Sequence, residues 1–167
     1  VNFAGQWLNL RGLQSVGPLP MLYPDFDDPL RQAMRREVEL LFDSVVREDR
    51  SLIDLLTADY TFVDEVLARH YGIPNVAGPQ FRRVRLTDPN RFGLLGHGSI
   101  LTLTSYPTRT SPVLRGKFVL DNLLASPPPP PPPDVPALVA DTATEQKTLT
   151  MREAMAAHRA DPQCASC

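Results

Sequence analysis

Cysteine is almost missing from this chain. Two occur in 167 residues, Cys164 and Cys167, and both fall in the closing DPQCASC. So sparse a supply excludes a disulfide-stapled scaffold, and the two thiols are read as one pair. Charge of one sign is lacking as well: 17 Lys and Arg against 19 Asp and Glu leave a net −2. That balance offers no footprint for nucleic acid or an anionic membrane surface. The densest basic cluster, FRRVR at 81–85, reads as solvated arginines on a strand or loop. No run of about 18 apolar residues exists, so no segment is predicted to span a bilayer as a helix. A start methionine and a charged-then-apolar leader are also missing. The chain opens on VNFAGQWL and closes on its second cysteine, and is read as a segment of a longer polypeptide.

Several catalytic signatures are absent too. There is no G-x-S-x-G elbow, and GHGS at 96–99 lacks the nucleophile that would make it an oxyanion-hole segment. No phosphate-cradling glycine loop occurs. Asp25, Asp27 and Asp28 cluster without calcium-loop spacing and are read as helix-start charges.

What the chain does have is proline, 18 of them, in an otherwise globular composition of 43% hydrophobic and 22% charged residues. The pattern predicts a mainly α fold of short helices with proline-rich connections. Phe3, Trp7, Leu10 and Leu13 stand at helical spacing and predict the buried face of one short helix over 1–13, with Trp7 a core anchor. Asp27 or Asp28 followed by Pro29 predicts a helix start, and Leu30, Met34, Val38, Leu41 and Val45 form its apolar stripe. Arg31, Arg35, Glu39 and Asp43 are placed on its other faces. A short helix is expected in SLIDLLTAD. Another is expected in TFVDEVLARHYG, capped by Thr61 with Asp64 and ended by Gly72. FRRVRL predicts a short strand. RFGLLGHGSILTLTSYP leans to helix, and Ser111-Pro112 starts another. Seven prolines at 127–133 favour an extended spacer of roughly 22 Å at about 3.1 Å per residue. Thr150 and Glu153 form a capping box for MREAMAAHRA.

Few residues are candidates for chemistry. A C-x-x-C pair serves as a redox couple, as half a zinc site, or as the start of a haem attachment sequence, which continues with histidine. Cys164 follows a helix end and a proline with no βαβ pattern before it, an unusual setting for a thioredoxin-like pair. His158, six residues upstream, leaves a zinc site without a fourth ligand. His70 near a helix end complements the last carbonyls. His97, between two glycines, has room for a close approach.

Several segments in one order carry a resemblance: NFAGQWLNLRGL, FDDPLRQAMRREVELLF, REDRSLIDLLTADYTFVDEVLARHYGIP, LTLTSYPTRTSPVLRGKFVLDNLLASPPPPPPPDVP and MREAMAAHRADPQCASC. They resemble large planctomycete-type surface proteins in which a planctomycete cytochrome C domain follows surface domains of unknown function. The resemblance implies that 1–72 is the C-terminal part of an upstream helical surface domain and 73–125 the start of a cytochrome-like domain. On the same reading 126–145 is a polyproline linker or strap, and 146–167 a helix leading into a truncated haem-attachment motif, so the cytochrome-like part is incomplete. Cys164 and Cys167 become the thioether positions of haem c. The proximal histidine is expected just after Cys167, with no metal ligand in the chain itself, so haem c belongs to the parent and is not expected on this fragment alone. The implied function is covalent haem binding and electron transfer outside the cytoplasm, at the periplasm or cell surface. Its partners are other domains of the same polypeptide and a redox partner of unknown identity. The rival is a structural or interaction module of a surface protein without redox role. No catalytic residue is assigned.

Overall fold

Aspartate, serine and proline decide where the helices begin. The computed structural model describes residues 2–130 and 150–160. Seven α-helices lie among them: α1 Asn2–Trp7, α2 Asp28–Arg47, α3 Asp54–Thr57, α4 Glu65–Tyr71, α5 Gly98–Leu103, α6 Pro112–Phe118 and α7 Met151–Arg159. Two small antiparallel ribbons join them. β1 (Tyr60–Val63) pairs with β2 (Arg82–Arg85) in the register Tyr60 to Arg85, and β3 (Ser105–Tyr106) pairs with β4 (Arg109–Thr110). The fold is mainly α, as predicted. By compactness it divides into Val1–Pro128 and Pro129–Cys167.

α2 is the spine of the first unit. Asp27 Oδ1 accepts from the Leu30 N–H at 2.9 Å, and Pro29 fills the first turn without losing a bond. Its stripe enters two neighbouring cores. Val38, Leu41 and Val45 pack with Leu8, Leu10, Leu94, Ile100 and Phe118. Leu30, Ala33 and Met34 pack with Leu13, Val63 and Leu67. Each fully buried side chain of this size stabilises the fold by about 1.5–3 kcal/mol.

Three sequence expectations change. Residues 1–13 are not one helix: Asn9, at φ 53, takes a left-handed turn between α1 and a 3-10 helix at Leu10–Gln14. Asparagine tolerates that region, and the reversal buries Leu8, Leu10 and Leu13 while Phe3 stays 65% exposed. Trp7 does anchor, half-buried: its Nε1 donates to the Asn122 carbonyl at 2.5 Å, and Asn122 Nδ2 donates back to the Trp7 carbonyl at 2.6 Å. Residues 61–63 are strand, not helix. Asp64, whose side chain accepts from the Leu67 N–H at 2.9 Å, is the cap that starts α4 and leaves YTFV extended. Glu39 is buried, gripped by Arg35 at 3.0 Å and Arg36 at 3.1 Å.

Other expectations agree in detail. Gly72 ends α4 at φ 69. Ser111 Oγ accepts from the Leu114 N–H at 3.2 Å to start α6, which runs on as a π turn through Val119–Leu123. Pro127 to Pro130 are exposed and without regular structure; the rest of the proline run lies outside the described residues. In the second unit the capping box forms: Thr150 Oγ1 accepts from the Glu153 N–H at 3.3 Å, and Glu153 Oε2 accepts from the Thr150 N–H at 2.8 Å. Among the described residues no helix is long and apolar enough to cross a membrane.

Candidate functional site

Glu37 stands on the apolar face of α2 between Met34 and Leu41, and its side chain is wholly buried. A carboxylate withdrawn from water needs donors, and two elements supply them. Thr61 of β1 donates its hydroxyl to Oε1 at 2.6 Å. Tyr71, the last residue of α4, donates to Oε2 at 2.7 Å and accepts from the Gly98 N–H at 2.8 Å. His97, just before α5, is equally buried; its Nε2 lies 3.3 Å from Thr61 Oγ1 and 3.8 Å from Glu37 Oε1.

Proton counting assigns the imidazole. Thr61 has one hydroxyl proton, and the short contact commits it to Glu37. Thr61 Oγ1 therefore faces His97 as an acceptor, so Nε2 carries the ring proton and Nδ1 keeps a lone pair. That Nδ1 is buried and has no partner. Burial holds the His97 pKa below its ordinary value, the nearby Arg91 cation adds to the shift, and Glu37 opposes it. Tyr71 is pushed well above the ordinary phenol value, first by burial and then by Glu37. His70, tilted against Tyr71 at 5.5 Å between ring centroids, is lowered first by partial desolvation and then by Arg91.

The glycines around His97 serve close packing. A Cβ on Gly96 would sit 2.5 Å from the Arg91 backbone, and one on Gly98 would meet Met34 Cε at 2.8 Å and the Tyr71 hydroxyl at 2.9 Å. The room read from the sequence is thus taken by protein. Arg91 donates to the Gly96 carbonyl at 3.1 Å and lies over the Tyr71 ring at 4.5 Å.

Two cavities adjoin this network. One of about 190 Å³ is walled by Glu37, Thr61, Tyr71, Asp88, Arg91 and His97. The other, about 400 Å³, lies between the 16–26 loop and the β3–β4 ribbon, with Phe26, Met34, His70 and Tyr106 among its walls. No group of three His, Cys, Asp or Glu suited to a metal occurs among the described residues. Cys164 and Cys167 lie outside the described residues, so their geometry is not part of this site. Of the candidates for chemistry read from sequence, only His97 enters the network; Thr61, expected as a helix cap with Asp64, instead donates to Glu37 from β1. Glu37 and Tyr71 carry no such expectation. The one signal available was an acidic residue within the apolar stripe of α2, three after Met34 and four before Leu41.

Residues 1–73 match the family model PSD4, described as a protein of unknown function (DUF1592). Residues 91–167 match PSCyt3, likewise a protein of unknown function (DUF1588). These are planctomycete surface-domain and cytochrome C families, and two matches in tandem fit a multidomain polypeptide. No curated protein and no solved structure matches the chain. Glu37, Thr61 and Tyr71 come from the first matched stretch, and Arg91 and His97 from the second.

Proposed function

We propose that this chain is part of an exported, multidomain c-type cytochrome-like protein in which Cys164 and Cys167 hold haem c. The observation that carries the reading is the PSCyt3 match over 91–167 with a C-x-x-C pair at its end. The donor set suits the cofactor: two thiols at this spacing are what thioether attachment to the vinyl groups requires. His97 is engaged with Thr61, and His70 packs on Tyr71, so neither is a ready iron ligand. In the C-x-x-C-H attachment pattern the imidazole follows the second cysteine, so it is expected directly after Cys167. Bound haem supplies one-electron transfer; the chain's part is to fix the porphyrin covalently beyond α7. The domain partition at 72, 125 and 145 belongs to this reading. So does location outside the cytoplasm, where haem c is attached.

The complete gene product, expressed with a haem-maturation system, should keep its haem spectrum after denaturation and extraction with acidified organic solvent. The double variant Cys164→Ala, Cys167→Ala should lose it. Pigment that extracts, or that persists in the double variant, overturns the proposal and leaves a surface module without redox role. A residue other than histidine after Cys167 does the same.

A further inference from the structure

The larger cavity combines apolar walls with cations that the protein leaves unpaired. At about 400 Å³ it lies within the ~300–1,000 Å³ that small-molecule sites enclose. Leu22, Tyr23, Phe26, Met34, Leu101 and Tyr106 give it an apolar lining. Leu22 and Tyr106 remain 54% and 46% exposed, so part of that lining faces water. The Leu19 N–H donates to the Pro107 carbonyl at 2.8 Å and ties the 16–26 loop to the β3–β4 turn. Most arginines of the first unit pair with a carboxylate. Arg91 and Arg109, both in these walls, pair with none among the described residues. Arg109 stacks its guanidinium 4.8 Å over the Tyr106 ring, which covers one face and leaves the N–H edge neither bonded nor enclosed. Arg91 donates one N–H to the Gly96 carbonyl, and its other guanidinium nitrogens are likewise open. Asp25, the one carboxylate in the walls, is exposed and bridges to neither arginine, so water screens its charge. A cation would face two guanidinia against that one solvated carboxylate. A polyol would find the wall hydroxyls of Ser105 and Thr110 already engaged, with the Leu101 carbonyl at 2.7 Å and Arg115 at 3.0 Å. An anion with an apolar body meets both kinds of wall.

We propose that this cavity binds a small organic carboxylate with an apolar body: the body lies against Phe26, Leu101 and Tyr106, and Arg109 donates to the carboxylate. A guanidinium edge offers two parallel N–H donors to such a group. Arg91 adds positive field from the same walls. The site does not rest on the haem reading, and all its walls belong to the first unit.

The test uses the full 167-residue chain and isothermal titration calorimetry. Benzoate, cinnamate and octanoate are each compared with the alcohol of the same body, so the aromatic and aliphatic arms report the shape of the apolar part. At least one acid should bind saturably and roughly tenfold or more tighter than its alcohol, the margin of one charge-assisted hydrogen bond. Arg109→Gln should bring that acid down to the level of its alcohol. Leu22→Asp, at an exposed wall position, should weaken both. If one variant loses cooperative thermal unfolding, the other carries the comparison. Equal affinity for every acid and its alcohol, no saturable binding by any acid, or acid binding that survives substitution in each variant that folds would overturn the proposal. So would a response to inorganic phosphate with none to the acids.

Discussion

Glu37 and His97 concentrate the polar consequences of burial at two residues. Glu37→Ala leaves the Thr61 and Tyr71 hydroxyls without their acceptor, and removal of such a buried partner costs about 3 kcal/mol or more. Glu37→Gln keeps a carbonyl oxygen and should cost roughly half as much. Urea denaturation followed by Trp7 fluorescence measures both; two variants within about 0.5 kcal/mol of the parent would show that the network stabilises nothing. The histidines add a pH dependence whose sign follows from their lowered pKa values. Both His70 and His97 bind a proton less readily folded than at the ordinary 6.5. The unfolded chain then takes up protons that the native chain refuses, so stability falls as pH drops below about 6.5 and through the folded values. Arg91 reinforces the shift at both rings, Glu37 opposes it at both, and Asp25 also opposes it at His70. A melting temperature that falls between neutral pH and about pH 5 is expected, with a smaller fall in His97→Gln. A flat profile in the parent contradicts the burial argument.

At the scale of elements, backbone conformation decides what can be substituted. Gly93 has φ 60, and a Cβ there would lie 2.3 Å from the Leu56 carbonyl group. Gly93→Ala should therefore cost at least about 3 kcal/mol, since neither backbone can yield cheaply. Gly116, exposed inside α6 with nothing within 4 Å of a Cβ, is the opposite case. Gly116→Ala should stabilise by up to about 1 kcal/mol through helix propensity. Measured together by chemical denaturation, the two should move in opposite directions; equal effects would mean that the close approach to Leu56 is not real. Helix starts were the most legible elements, because a cap acts within three residues. Asp27 with Pro29, Ser111 with Pro112, and Thr150 with Glu153 all begin helices as read. YTFV was misread because two local signals compete there. The Thr61–Asp64 pair reads as the cap of one helix, yet Asp64 is itself the cap, and Arg82–Arg85 supplies the strand partner from outside the window.

Across the whole molecule, α1, α2, α5 and α6 share one core. Phe118, near the far end of the first unit, packs with Leu8, Leu10, Val38 and Ile100. Trp7 and Asn122 clip the two ends of that unit by a reciprocal pair of hydrogen bonds. The stretch matching PSD4 and the first part of the stretch matching PSCyt3 are thus not separable in their packing. Phe118→Ala should cost about 3–5 kcal/mol. A chain ended at residue 90 should lack cooperative unfolding, because Leu94, Ile100 and Phe118 would be missing from the core around Leu8 and Leu41. Calorimetry decides this: a sharp transition in the shortened chain would show that its first stretch folds alone.

Local chemistry in the sequence determined the mainly α class, most helix starts and the glycine stop of α4, because a cap or a left-handed turn needs only its near neighbours. It also marked the cysteine pair, whose meaning lies in spacing. What only the tertiary structure decided is the company of Glu37. Residues 24, 34 and 60 positions away along the chain are brought around one carboxylate by packing of apolar faces that carry no information about it. A buried polar network is set by which donors the fold delivers to a place without water, and no window along the chain contains that.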